Sequence, residues 1–584
     1  MDIEIIRHSL AHVMAKAVCN LYKDVKLTIG PAIKDGFYYD FDLPIQLSDN
    51  DLEKIEDEMK KIINKSESFL RKEVSKEVAL EMFKNNPYKV ELITELPKDE
   101  IISIYYTGED FVDLCRGPHV DNTNKLQNVG FKLIKVNGAY WRGSEKNKML
   151  QRVYAYAFAT KKELADYILL QEEAKKRDHR KLGKELGIFM FSELVGKGLP
   201  MWLPNGFVVR RTLSDYITNK ELELGYKHVS TPSLASINLY KTSGHWEHYH
   251  EDMFPSMKRD EEEYVLRPMN CPHHMMIYKN FLHSYKDLPL RIAEVANDFR
   301  FEGTGSLCGV ERTRAFTQND SHIFCRPEQI ASEVEGVIKL ILDVYKDFGF
   351  EKYSFRLSLR DEANTEKYFG NDDLWEKSES ALRKILTDNK LEFYEAKGEA
   401  AFYGPKIDVQ VESALGHDVT LSTVQLDYQL PEKFELEYID ENNQKQRPIV
   451  IHRAILGSLD RFIAFLIEET KGSFPFWLAP VQMKVLPVTD ATNEYAKEVC
   501  EKLQKAGFRC ELDDRNEKIG YKIRESASMK TPYNLILGEK EHENGTISLK
   551  IRGGVQLNNI NIDEFVNKLK DLKQSCGLNL ITEF

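Results

Sequence analysis

Residues 449–462 read IVIHRAILGSLDRF and place His452 among apolar neighbours, with Arg461 a few positions on. Taken alone each is ordinary: a histidine beside apolar residues is more often structural, and an arginine more often makes a surface ion pair. Working outward, RPMNCPHH (267–274) adds Cys271, FTQNDSHIFC (316–325) adds His322, and NDFRFEG (297–303) adds Arg300. One cysteine and two histidines from three distant segments form a zinc-ligand set that leaves a fourth position open to a substrate. Arginine's rigid fork suits phosphate and carboxylate, so Arg300 and Arg461 beside such a metal suggest an anionic nucleotide and an acid.

A second set lies near the start of the chain. In RHSLAH (7–12), His8 and His12 stand four positions apart and share a face of a helix. DLCRGPH (113–119) adds Asp113, Cys115 and His119. The metalloprotease pattern H-E-x-x-H fails, because Ser9 follows the first histidine. Two readings stay open: a metal site, or a metal-free pocket where imidazoles, a thiol and a carboxylate handle a polar substrate and a water.

At 584 residues the chain is too long for one core, and length suggests about three or four domains. No apolar run reaches a membrane span of about 20 residues, and no charged-then-apolar leader precedes the first histidine, so a soluble, cytoplasmic protein is expected. The eight cysteines show no CxxC or disulfide rhythm. A formal charge of −12 argues against a uniformly basic chain but leaves local RNA-binding patches open. The pattern predicts mixed α/β structure over 1–159, with a charged helix over 51–76. It then predicts a long polar helix as linker over 160–185, a body over 186–480 and an α/β module over 481–584 after Pro480. The linker's basic residues, Lys175, Lys176, Arg177, Arg180, Lys181 and Lys184, read as a solvated face or as a strut touching phosphates.

Several stretches carry a resemblance. FRFE resembles motif 2 of class II aminoacyl-tRNA synthetases, GSLDRF their motif 3, and VSTPSL (229–234, with Pro232) their motif 1 strand. TSGHWEHYHEDMF, RPMNCPHH, FTQNDSHIFC, FYGPKIDV and STVQLDYQLPEKF are similar to bacterial threonyl-tRNA synthetases, over essentially the whole chain. The resemblance implies a multidomain α+β protein: an antiparallel-sheet catalytic core, an N-terminal α/β editing domain and a C-terminal α/β anticodon-binding domain. It also implies one zinc ion, ATP with Mg2+, threonine and tRNA(Thr) as partners, no membrane, and a homodimer joined through motif 1.

Residue by residue, it places zinc on Cys271, His322 and His452. Arg300 goes to the α-phosphate and the threonine carboxylate, Arg461 to the γ-phosphate, and Phe316 under the adenine. Asp320 holds the ammonium group, Gln318, Tyr403 and Lys406 line the pocket, and Glu302, Arg312 and Gln425 lie on the nucleotide side. His8, His12, Lys89, Asp113, Cys115 and His119 match an editing pocket that hydrolyses seryl-tRNA, and the resemblance favours a metal-free one. The chemistry explains the two sites. A site built around the threonine hydroxyl refuses valine by roughly 10⁴-fold, whereas serine's missing methyl is worth only about 1–3 kcal/mol, so a second sieve is needed.

Many relatives begin with a small extra domain, and here the chain starts directly at MDIEIIRHSLAH; with the editing motifs intact, proofreading is expected. Val419 and Thr420 stand where Trp-Gln is common, so Thr420 receives no role. In the last module DDRNEKIGYKIRE, GEKE and ISLKIRGG imply anticodon contacts from Asn516 and Glu541. Lys550 stands where an arginine is common and lacks its bidentate fork. Competing readings are a non-catalytic paralogue that binds tRNA or amino acid for regulation, and a dedicated hydrolase of mischarged tRNA. The first usually loses an ATP arginine or a zinc ligand, all of which are present here; the second leaves the large body without a purpose.

Overall fold

The computed structural model describes residues 2–97, 100–364, 368 and 372–584, and the chain divides into two units, Met1–Glu173 and Ala174–Phe584. In the first unit, Asp2 caps the helix Ile3–Leu21 by accepting from the Glu4 amide at 3.0 Å. Its buried Leu10, Val13, Met14 and Ala17 pack with Phe37, Phe41, Ile55, Ile62 and Val153. This places the helix against an antiparallel sheet ordered Lys26–Leu27, Gly36–Asp42, Met149–Phe158, Gly130–Tyr140, with Ala32–Ile33 also on Gly36–Asp42. A second antiparallel sheet joins Phe69–Val74, Ile102–Thr107 and Phe111–Leu114.

The charged helix expected over 51–76 is shorter. It runs Asp49–Asn64, and Phe69–Val74 is a strand. Ser66 takes a left-handed φ of 56°, and its carbonyl accepts from the Asn122 side chain, which turns the chain onto its partner strand. The polar linker is likewise two helices, Lys161–Arg177 and His179–Glu185, because the Asp178 side chain accepts from the Arg180 amide at 2.8 Å and starts a second helix.

The second unit is built on an eight-stranded sheet ordered Lys227–His228, Leu290–Phe299, Ala315–Cys325, Ile449–Ser458, Asp418–Asp427, Lys406–Glu412, Tyr353–Leu359, Phe393–Lys397. All neighbours are antiparallel except the outermost pair at each end. Alternate residues, among them Ile323, Ile451, Val424 and Ile407, join a large core with Val337 and Ile341 of helix Ile330–Phe348 and Phe462 and Leu466 of helix Leu459–Thr470. That covers one face and frees the other. The VSTPSL stretch is less regular than expected: only Lys227–His228 before it and Leu234–Ser236 at its end are strand, and Pro232 has no N–H for a ladder. After Pro480, the strands Cys510–Leu512, Met483–Pro487 and Tyr533–Leu537 run parallel, Thr546–Ile551 and Gln556–Asn561 antiparallel, over a separate core. No helix among the described residues is long and apolar enough to cross a membrane.

Candidate functional site

Strand register assembles the open face of the large sheet. His322 pairs with His452, His452 with Gln425, and Gln425 with Lys406, giving one row across four strands. The next row is Asp320, Ala454, Thr423 and Asp408. Because side chains alternate, both rows face the same side. Gln318 pairs with Ser458 beyond a bulge that adds two residues to the Ile449–Ser458 strand. An even insertion keeps the faces in phase.

Cys271 enters from the N-terminus of helix Cys271–Lys279, and its Sγ lies with one nitrogen each of His322 and His452 in a group whose atoms are all within 4.8 Å. All three residues are buried. His322 Nε2 is buried without a partner, while its Nδ1 is 2.7 Å from His274 Nδ1. His452 Nε2 is 2.9 Å from the carboxylate of the fully buried Asp427, which leaves Nδ1 toward the group. Burial pushes the Cys271 thiol well up, the His322 imidazole well down, and Asp320 up to about 8, the last helped by Asp298. A thiol and two imidazoles are the donors a zinc ion satisfies, so these residues fit one.

A cavity of about 490 Å³ opens on this group, lined by Cys271, His452, Asp320, Gln318, Tyr403 and Arg300 among others. Tyr403 stacks on His452 with ring centroids 4.8 Å apart and donates to Gln425 at 2.5 Å. An adjoining cavity of about 450 Å³ shares Arg300, Gln318 and Gln425 and adds Glu302, Arg312, Phe316, Lys406 and Arg461. The Arg300 guanidinium lies 4.9 Å over the Phe316 ring, Arg312 pairs with Glu302 at 3.0 Å, and Lys406 with Asp408 at 2.7 Å. Arg461 lies in the first turn of the helix capped by Ser458, and its Nε is buried without a partner. The structure therefore brings together all the residues expected to bind metal, amino acid and nucleotide.

In the first unit a cavity of about 610 Å³ is lined by His8, His12, Lys89, Asp113 and Cys115, among others. Cys115 Sγ is 3.1 Å from His8 Nε2 and 3.2 Å from His119 Nε2. The Ser9 hydroxyl gives its only proton to the Ile5 carbonyl at 2.8 Å and accepts from the Val120 amide, so His119 Nδ1, 3.2 Å away, is the donor toward it. His119 Nε2 is then an acceptor for the Cys115 thiol, whose pKa burial pushes up to about 11. His12 stands outside this group: its Nδ1 meets Thr107 Oγ1 at 3.0 Å and its Nε2 is buried without a partner. Lys89 and Asp113 form a buried pair at 2.7 Å, and Tyr39 donates to Asp113 at 2.5 Å. The turn before His119 needs Gly117, with φ +68°, because a Cβ there would lie 2.2 Å from the Tyr105 hydroxyl.

Comparison with known proteins places three parts of the chain. Residues 250–470 match the tRNA synthetase class II core domain (G, H, P, S and T), 480–572 the anticodon binding domain, and 102–154 the threonyl and alanyl tRNA synthetase second additional domain. A threonine–tRNA ligase of Listeria monocytogenes serotype 4a (strain HCC23) is 55% identical over 565 residues, covering 96% of this chain and 88% of the relative. The chain belongs to the threonine–tRNA ligase family. One from Geobacillus sp. (strain WCH70) is 54% identical over 571 residues, covering 97% and 88%. Among solved structures, the RNA binding domain of threonyl-tRNA synthetase from Cryptosporidium parvum Iowa II superimposes with a TM-score of 0.65 at 37% identity, covering 70% of this chain and all of that one. A putative threonyl-tRNA synthetase, ThrRS-1, from Aeropyrum pernix gives 0.61 at 27% identity, covering 69% and 96%.

For a member of this family, the α+β class II core with editing-associated and anticodon-binding domains agrees with the expectation from sequence. The last module spreads its candidates. Asn516 is exposed after the Cys510–Leu512 strand at one edge of the sheet. Glu541 spends both oxygens locally, accepting from the Gly538 amide and the Ser548 hydroxyl, and Lys550 lies on the same strand as Ser548. In the linker, Arg177 donates to the Glu468 and Glu469 carbonyls and Arg180 pairs with Asp178. Sequence reading missed Asp427, His274 and Glu294 behind the donor group, and the cavity residues His248, Tyr249 and Phe402. His274 and Asp427 stood inside quoted motifs, but without register nothing marked them as partners of the candidate ligands.

Proposed function

We propose that this chain activates threonine with ATP, transfers it to tRNA(Thr), and clears seryl-tRNA(Thr) at the N-terminal cavity. The observation that carries the reading is one continuous face on which Cys271, His322 and His452 adjoin Asp320 and Arg300, and these adjoin Phe316 and Arg461. Cys271, His322 and His452 hold one zinc ion, which when bound supplies open coordination positions for the amine and hydroxyl of threonine. Asp320 takes the ammonium group, with Gln318, Tyr403 and Lys406 shaping the pocket. Arg300 neutralises the α-phosphate as the threonine carboxylate attacks it, and Arg461 holds the γ-phosphate. Phe316 lies under the adenine, and Glu302, Arg312 and Gln425 complete the nucleotide side, with Mg2+ on the phosphates. Catalysis is positioning and charge neutralisation.

At the N-terminal cavity His8, His12 and Cys115 orient a water and the leaving ribose hydroxyl. The Lys89–Asp113 pair fixes the wall, and His119 orients Cys115. We read this pocket as working without a metal, and because one donor atom each of His8, Cys115 and His119 lies within 4.8 Å of the others, a group that could hold an ion, metal content tests that reading directly. Asn516, Glu541 and Lys550 contribute to anticodon binding. The working form is a cytoplasmic homodimer.

ATP–pyrophosphate exchange with threonine, serine and valine, combined with metal content, tests the reading. Threonine is expected to support strong exchange, serine weaker exchange and valine essentially none, with one zinc per chain. Absence of threonine-dependent exchange would leave the regulatory paralogue as the better reading.

A further inference from the structure

Behind the candidate ligand His322 runs a chain of buried side chains. His322 Nδ1 is 2.7 Å from His274 Nδ1, and His274 Nε2 is 3.2 Å from Glu294 Oε2. His322 and His274 are wholly buried and Glu294 nearly so. Glu294 also accepts from the Thr231 amide at 2.7 Å, the Thr231 hydroxyl at 2.9 Å and the Asn270 side chain at 3.2 Å, with Arg267 at 3.6 Å. A carboxylate ringed by so many donors and a cation is ionised and has no proton to give.

The proton positions follow in order. Facing a carboxylate, His274 Nε2 is the donor. In a neutral ring its Nδ1 is then a bare acceptor. The two Nδ1 atoms share one proton, so it belongs to His322. That leaves the His322 Nε2 lone pair bare, and Nε2 is the buried nitrogen without a partner, 3.9 Å from Asp320 Oδ2. His452 is set independently: its Nε2–H donates to the Asp427 carboxylate, which leaves its Nδ1 as the bare nitrogen.

We infer that Glu294 and His274 are positioning residues for the threonine-binding metal, acting as a relay that fixes His322 in the tautomer able to ligate through Nε2. This rests on the reading of Cys271, His322 and His452 as a zinc site. The relay also locks the ring's rotation and raises its basicity, as partners behind ligating histidines do. Its far end lies on Thr231, in the VSTPSL stretch, so the metal's geometry is tied to a segment far from it in sequence.

The test is zinc affinity of the full chain, measured by competition with a chromophoric chelator, alongside metal-free thermal melts. Wild type must bind zinc and His322→Ala must not; failure of that pair sinks the zinc reading itself rather than the relay. Given it, His274→Leu is expected to weaken zinc by about 10–100-fold, the usual cost of losing such a partner. Glu294→Gln, whose amide can present N–H to His274 and reverse both rings, should do the same. His274→Gln keeps an acceptor for His322 and a donor for Glu294, and should retain affinity within a few-fold of wild type. If Glu294→Gln does not fold, the two His274 variants decide. Wild-type affinity in His274→Leu, or a loss in His274→Gln equal to that in His274→Leu, overturns the relay.

Discussion

His12 is wholly buried beside Lys89, His8 and Lys16, and burial first, then those charges, hold its imidazole down to about 3. An unfolded His12 takes up a proton below about 6.5 while the folded one stays neutral. Stability from this residue is therefore present above pH 6.5 and lost as pH falls toward 3. Between pH 6.5 and 5 the loss is about 2 kcal/mol, at 1.36 kcal/mol per unit. The melting temperature of the first unit should fall over that range. His12→Asn, which can still bond Thr107, should flatten the slope; an unchanged slope would show the depression to be unimportant. His8 lines the same cavity and differs in meeting Cys115 Sγ directly through its Nε2. His8→Ala should leave threonine exchange intact and let seryl-tRNA accumulate in a charging assay with serine.

Among the elements, the strand Ile449–Ser458 carries the strongest constraint. Its two-residue bulge lets His452 face Cys271 and His322 while Ser458 caps the helix that presents Arg461. Gly457 makes the bulge possible, with φ +57° and a position where a Cβ would lie 2.8 Å from the Leu421 carbonyl. A non-glycine residue held in that region costs about 1–3 kcal/mol. Gly457→Ala should accordingly lower the melting temperature and raise the KM for ATP more than that for threonine, because Arg461 lies beyond the bulge and His452 before it. Equal effects on both substrates would mean that the bulge does not divide the two half-sites. Elements also show where local reading stops. A helix over 51–76 is what the charges suggest, yet Phe69–Val74 is a strand because Ile102–Thr107 lies beside it.

At the scale of the whole molecule, the two units have separate cores, one around Leu10, Phe37 and Ile62, the other around Ile341, Ile451 and Phe462. A unit with its own core can fold alone. A fragment ending at Glu173 should melt cooperatively and hydrolyse seryl-tRNA, if weakly, and the remainder should exchange pyrophosphate with threonine but fail to clear serine. A remainder that still cleared serine would move proofreading out of the N-terminal cavity.

The sequence by itself determined the chemistry on offer: the cysteine, histidines and arginines of each site, and motifs long enough to place the chain in its family. Only the tertiary structure decided that His322 Nε2 is buried without a partner while Asp427 meets His452 Nε2, that His12 stands apart from the Cys115 group, and that Asp427, His274 and Glu294 lie behind the donor group. The reason is physical. Residue types are local, but proton positions and facing pairs depend on strand register and on neighbours more than a hundred residues away, such as the Cys115 partner of His8, which no local pattern encodes.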